Sequence, residues 1–387
     1  MIYVFSVILI IVYKLFFKKL LNPLSISLIM LNFQLVLGSF IRSLSYPVSS
    51  NYFLDFSYLI FGFFLIVGLF SYELLFSRLQ KSISFSLNFK KTIDNSAYYL
   101  SVFVFILSAL LLVEIMSVDT LFSYKSIRLF YVDQRSSGIS GAYIYIIGLI
   151  GPILAAYYFV HNNKILFLIV FICLLLTGKK APVFLFILLT LIQYYNDSSV
   201  SKKKLGTIVI IGAALLISLL FLGSSSSLSY LEIFSGYFAY YESASTVFYS
   251  VLDGSVNFKP FEISISRLWK LIPRIFYESK PILYGYNLIH DAVFTYDYGR
   301  GFTIGISSKI TVPFVEFGII GVMVYGFING IYVCVISRLI IKSNSLIEKF
   351  FWCSMLINGL SIYAIVIFKG FYFLSKIVLR KTHVIYN

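Results

Sequence analysis

Residues 261–272 have amphipathic helical spacing, and three basic residues, Arg267, Lys270 and Arg274, fall at i, i+3 and i+7 in the stretch FEISISRLWKLIPRIFYESKPILYG. On a helix that spacing nominally gathers them on one face, and Pro273 ends or kinks the helix before Arg274. Arginine grips phosphate oxygens in pairs and lysine acts on them as a point charge. Such a set suits a diphosphate, whose departure builds negative charge that fixed cations must offset. Arg128, Arg135, Lys179, Lys180, Lys280 and Arg300 extend the set, and Glu242, Glu278, His290 and Asp291 stand among them. His290 has the right ordinary pKa, about 6.5, for a general base, with Glu242 and Asp291 as alternatives. The same residues also fit a plain structural role. Loop cations pair with loop carboxylates or with anionic lipid, and a lone histidine is commonly a packing residue. The three histidines, His161, His290 and His383, lack zinc-site spacing, and there is no Asp-x-Asp pair or G-x-S-x-G elbow. The expectation is chemistry without a bound metal or other cofactor.

The elements that must hold these side chains are membrane helices. Of 387 residues, 59% are hydrophobic and only 12% charged, against about 25% charged in an ordinary soluble domain. The apolar runs are continuous and of helix length, which excludes an alternating β-barrel pattern. The expected fold is therefore all-α: a single polytopic membrane domain over 1–387. About eleven spans are expected, near 2–17, 21–41, 52–76, 97–117, 142–160, 165–178, 181–195, 205–222, 312–336, 350–366 and 368–379. The sixth, seventh and last are short for a bilayer of about 30 Å.

The net charge of +15 is not a nucleic-acid signature, because most lysines sit in short loops beside apolar runs. Lys14, Lys18, Lys19, the 77–96 loop, Lys202 to Lys204, Arg338, Lys342 and Lys349 then share one face with the chain's basic end, and the positive-inside rule makes that face cytoplasmic. The N-terminus falls outside, and the first apolar run reads as a retained span rather than a cleaved signal. Two longer loops, roughly 118–141 and 223–311, fall on the outer face. The second is apolar and aromatic enough to fold as a cap on the bundle, with Trp269 suited to interfacial depth and Tyr237, Tyr240, Tyr241, Tyr284 and Tyr286 available to stack on sugar rings. Lys179 and Lys180 interrupt LLLTGKKAPVFLFIL on that same face, against the charge trend. That turn either snorkels to lipid headgroups or belongs to a binding site. Cys173, Cys334 and Cys353 lie inside spans and read as packing residues, not a disulfide framework.

This layout resembles the Wzy-type O-antigen or polysaccharide polymerases, the oligosaccharide repeat-unit polymerases. The likeness rests on the short hairpin LLTGKKAPVFLFIL and on the large loop between spans eight and nine. It rests also on LIPRIFYESKPILYG and on the Gly-rich span PFVEFGIIGVMVYGF. Lys179–Lys180 stand where the family pattern has an arginine. The resemblance implies a multi-pass enzyme of the bacterial inner (cytoplasmic) membrane acting on undecaprenyl-diphosphate-linked oligosaccharide, for lipopolysaccharide or capsule. A flippase and a chain-length regulator would be its companions. Arg274, Arg267 and Lys179/Lys180 would clamp the diphosphate, with Arg135, Lys270, Lys280 and Arg300 beside them, and His290 or Glu242 would serve the acceptor hydroxyl. Three other readings stay open: an O-antigen ligase-like transferase, a lipid-linked oligosaccharide flippase or transporter, and a membrane acyltransferase built on His290–Asp291.

Overall fold

The computed structural model describes residues 51–76, 95–114, 139–196, 206–212, 240–266, 285–294, 309–343, 345–358 and 364–374, with single positions beside them. Among these residues the chain is all-helical, with no strand. In chain order the helices are α1 (Tyr52–Phe76), α2 (Asn95–Glu114), α3 (Ile139–Val160), α4 (Lys164–Leu175) and α5 (Lys180–Asn196). There follow α6 (Tyr240–Leu252), α7 (Glu262–Ser266), α8 (Tyr286–Phe294), α9 (Thr311–Lys342), α10 (Leu346–Asn358) and α11 (Ala364–Leu374). Three described helices are long and apolar enough to cross a membrane: Tyr52–Tyr72, Asn95–Val113 and Thr311–Lys342. Four others, Ile144–Val160, Lys164–Leu175, Lys180–Tyr194 and Ala364–Leu374, are apolar but shorter. The runs expected at 2–17 and, but for Phe40, at 21–41 lie outside the described residues, and the run expected at 205–222 is described as a helical stretch over 206–212 with positions 214, 215 and 218.

The chain divides into two compact units. The first holds α1, α6, α7, α8 and almost all of α9. Its two long helices meet through glycine. A Cβ on Gly330 would strike the backbone of Leu65 and Leu69, one on Gly326 the carbonyl of Phe61, and one on Gly68 the carbonyl of Phe327. Gly326 and Gly330 are the small-xxx-small pair that lets apolar helices approach backbone to backbone, where lipid offers no hydrophobic drive to associate. Arg338, near the end of α9, lies over the Tyr72 ring at 4.5 Å.

α9 is not one continuous rod. Gly318 takes φ 62 and ψ −148, a region open only to glycine. The apolar run expected at 312–336 is therefore two helical pieces, and the second runs on to Lys342, a cation that suits a helix C-terminus. Above the break, α6, α7 and α8 build a core of their own on the first turns of α9. Val247, Ile263, Ile289, Val312 and Val315 are buried together there, and Phe248 stacks on Phe314 at 3.7 Å.

The second unit holds α2, α3, α4, α5, α10 and α11. α3 is its centre: Ile147, Ile150, Ile153, Leu154, Ala155, Ala156, Tyr157 and Tyr158 are all buried. Gly148 and Gly151 let α5 and α4 close on it, facing Pro182 and Leu174. α4 has 12 residues and α5 has 17, so at about 1.5 Å per residue both fall short of a bilayer core of about 30 Å. α10 and α11 are joined by an ion pair, Lys369 to Glu348 at 2.5 Å, and by Phe351 stacked on Phe368 at 4.0 Å. Cys173, Cys334 and Cys353 are buried and unbridged.

Candidate functional site

In the first unit the segment between α1 and α9 is fastened by buried polar side chains. Asn51 caps α1, its Oδ1 accepting from the Leu54 amide at 3.0 Å. Its Nδ2 donates to Ser245 Oγ at 3.0 Å and to the Ser245 carbonyl at 3.3 Å. The Tyr241 hydroxyl accepts from the Asn51 amide at 3.0 Å and donates to Asp55 at 2.8 Å. Burial and the neighbouring Asp55 carboxylate push the Tyr241 hydroxyl pKa up, while the Asn51 amide works the other way. Tyr241 is thus a proton-bearing donor at neutral pH. The arrangement holds the first turn of α6 on the first turn of α1.

A second fastening joins α7 to α9. Glu316, buried, accepts from the Ser264 amide at 2.7 Å and from Ser264 Oγ at 2.6 Å. Ser266 Oγ accepts from the Gly285 amide at 2.8 Å, which leads the chain into α8. A carboxylate inside an apolar helix is costly unless its oxygens are satisfied, and here each oxygen has a donor. Lys309 stands just before α9 beside two fully buried residues, Ile310 and Thr311. Burial pushes its ammonium pKa down to about 8. A lysine so placed can exchange a proton near neutral pH or await an anion.

Among the expected site residues, Glu242 lies half-buried in the first turn of α6. His290 lies in helix α8, followed by an exposed Asp291 and preceded by the core residue Ile289. Lys179 and Lys180, in the second unit, sit where α4 gives way to α5. Thr177 Oγ1 donates to the Leu174 carbonyl at 2.7 Å and accepts from the Lys179 amide at 3.4 Å. Gly178 at φ 60 supplies the left-handed residue that stops α4. Lys179 is exposed and Lys180 half-buried at the start of α5, where the helix dipole adds to the positive field. Arg135, Arg267, Lys270, Arg274, Lys280 and Arg300, like Arg128 and Glu278, lie outside the described residues. The amphipathic helix expected over 261–272 is described only as α7 and the positions Leu268 and Trp269.

Sequence reasoning passed over Asp55, Glu316 and Lys309. The signal was present: Asp55 and Glu316 are carboxylates inside apolar runs, and Lys309 directly precedes one. Set against family models, curated proteins and solved structures, the chain matches none.

Proposed function

We propose that this chain is a multi-pass glycosyltransferase of the bacterial cytoplasmic membrane. It joins oligosaccharide repeat units carried on undecaprenyl diphosphate, at the extracytoplasmic face, into O-antigen or capsular polysaccharide. The observation that carries the reading is the segment that leads into the second of the two glycine-packed helices in the first unit. It folds back as α6, α7 and α8 and is fastened to both, through Asp55 and through Glu316. A substrate with a lipid tail and a glycan head needs such a seat, where span ends meet a folded cap.

In this reading an acceptor hydroxyl attacks the anomeric carbon of the donor chain. The C–O bond to the diphosphate breaks, and undecaprenyl diphosphate leaves with the electron pair. His290, with Glu242 and Asp291 as alternatives, takes the hydroxyl proton, an effect worth about 10²- to 10⁴-fold. Arg274, Arg267 and the Lys179/Lys180 turn offset the charge on the departing diphosphate, with Arg135, Lys270, Lys280 and Arg300 as further phosphate and glycan ligands. The purified protein, given its native lipid-linked repeat unit, should yield a ladder of longer lipid-linked glycans. Arg274→Ala should abolish the ladder, and Lys179→Ala with Lys180→Ala should shorten or abolish it. A folded wild type that makes no ladder overturns the reading.

The break at Gly318 beside Glu316 favours a second reading, a transporter of the same lipid-linked glycan, since transporters place charged residues and interrupted helices at their sites. Flipping of a labelled lipid-linked oligosaccharide in proteoliposomes, with no change in glycan length, would select it.

A further inference from the structure

α7 has two unlike sides. Ile263 is fully buried in the core beneath it, and Ser264 is bonded to Glu316. Ile265 within the helix, and Phe261 and Leu268 on either flank of it, stand 60%, 55% and 57% exposed. That is too much bare apolar surface on one short stretch of chain for contact with water alone. Phe261 is held at φ 65, a costly conformation for a bulky residue. The turn that holds it is closed by Lys259 and Glu262, whose amides and acceptors bond reciprocally at 3.0 and 3.1 Å.

What lies next to this side identifies its partner. The Phe261 ring meets the Phe317 ring edge-on at 4.7 Å. Past the break at Gly318, a bare apolar stripe runs along the second piece of α9 through Ile320, Val324, Ile328 and Val335. The stripe lies away from Gly326 and Gly330, which pack on α1, and from Ile320 to Val335 a rise of about 1.5 Å per residue gives it a length of about 22 Å, most of the hydrocarbon thickness. The Phe261–Phe317 contact brings the exposed residues beside α7 to α9 one residue before the break, at the end of that stripe nearer Thr311. Lys259 and Glu262 stand exposed at its edge, and Trp269 stacks on Tyr277 at 5.4 Å, an aromatic pair of the kind that marks the membrane–water boundary.

We infer that Phe261, Ile265 and Leu268 lie among the acyl chains of the leaflet next to Thr311, so that α7 is a lipid-embedded foot of the cap. The strained turn sets the foot's depth, because it holds the Phe261 ring level with Phe317, six residues into α9. The inference depends on α9 spanning the bilayer and not on any catalytic activity.

The test uses the full chain in phosphatidylethanolamine–phosphatidylglycerol nanodiscs, with an environment-sensitive fluorophore on single introduced cysteines. Ile265→Cys and Leu268→Cys report the foot, Val324→Cys the stripe, and Ser255→Cys an exposed turn of the cap. The native cysteines are buried, and the unmodified chain carried through labelling sets the background. Doxyl-labelled lipid should quench the label at 265 and 268 as strongly as at 324 and leave 255 bright, and iodide should do the reverse. Iodide quenching at 265 and 268 like that at 255 overturns the inference in favour of water. Protection from both quenchers at 265 and 268, with 324 still quenched by lipid, overturns it in favour of a protein partner. Failure of lipid to quench 324 removes its premise.

Discussion

The cap of the first unit and the α4–α5 hairpin of the second make their turns by different physics. The cap is fastened by buried side chains far apart in sequence: Asn51 to Ser245 across 194 positions, and Ser264 to Glu316 across 52. The hairpin is closed by its own neighbours. Asn163 caps α4 through the Leu166 amide, Thr177 bonds to Leu174, and Gly178 supplies the left-handed residue. Local closure costs little chain entropy and survives by itself, whereas bonds across long loops hold only while both partners stay packed. The cap is therefore the part of this protein that a single polar substitution can release.

The largest effect should come from the glycine seam beneath the cap. Gly330→Ala places a Cβ against the backbone of Leu65 and Leu69, which should cost about 3 kcal/mol and lower the detergent-solution melting temperature sharply. An unchanged melting temperature would mean that α1 and α9 do not approach this closely. Glu316→Ala comes next. It leaves the two Ser264 donors without their acceptor, a loss of about 2–3 kcal/mol, read as faster amide exchange over 259–266 with little change in 164–196. Tyr241→Phe removes one hydroxyl that serves both Asn51 and Asp55. It should cost about 2 kcal/mol and raise exchange at 240–245, and a result below a few tenths would show the link to be idle. In the hairpin, Gly178→Ala forces a side chain into φ 60 at about 1–2 kcal/mol, and the effect should stay within 174–182.

One change should have the opposite sign. Lys309 has a folded pKa of about 8 against an ordinary 10.5. Its charged form is thus penalised by folding below about pH 8, and the penalty lifts as pH rises toward 10.5, so stability should rise over that window. Lys309→Met should flatten this slope and stabilise the chain at pH 7. If Lys309 serves substrate, the same variant loses activity as it gains stability, and unchanged activity assigns it a structural place only.

Much of the helical plan was legible. The apolar run read at 52–76 is α1, and the hairpin read at 165–178 and 181–195 is α4 and α5, because continuous hydrophobicity and a Thr-Gly stop are local properties. The site was less legible. Periodicity at 261–272 picked out Arg267 and Lys270, while the polar residues that organise the described cap are Asn51, Asp55, Tyr241, Ser264 and Glu316. A lone carboxylate in an apolar run announces that it needs a partner, and says nothing of which hydroxyl, tens or hundreds of residues away, will supply the proton.

What the sequence by itself determined is the class of solvent and the kind of element. With 59% hydrophobic residues in helix-length runs, the backbone must satisfy its own hydrogen bonds, and the helix does so within each segment. What only the tertiary structure decided is where that regularity is interrupted. The strained turn at Phe261 and the two buried carboxylates stand where distant segments meet, and packing offsets a local cost that no stretch of sequence could bear alone.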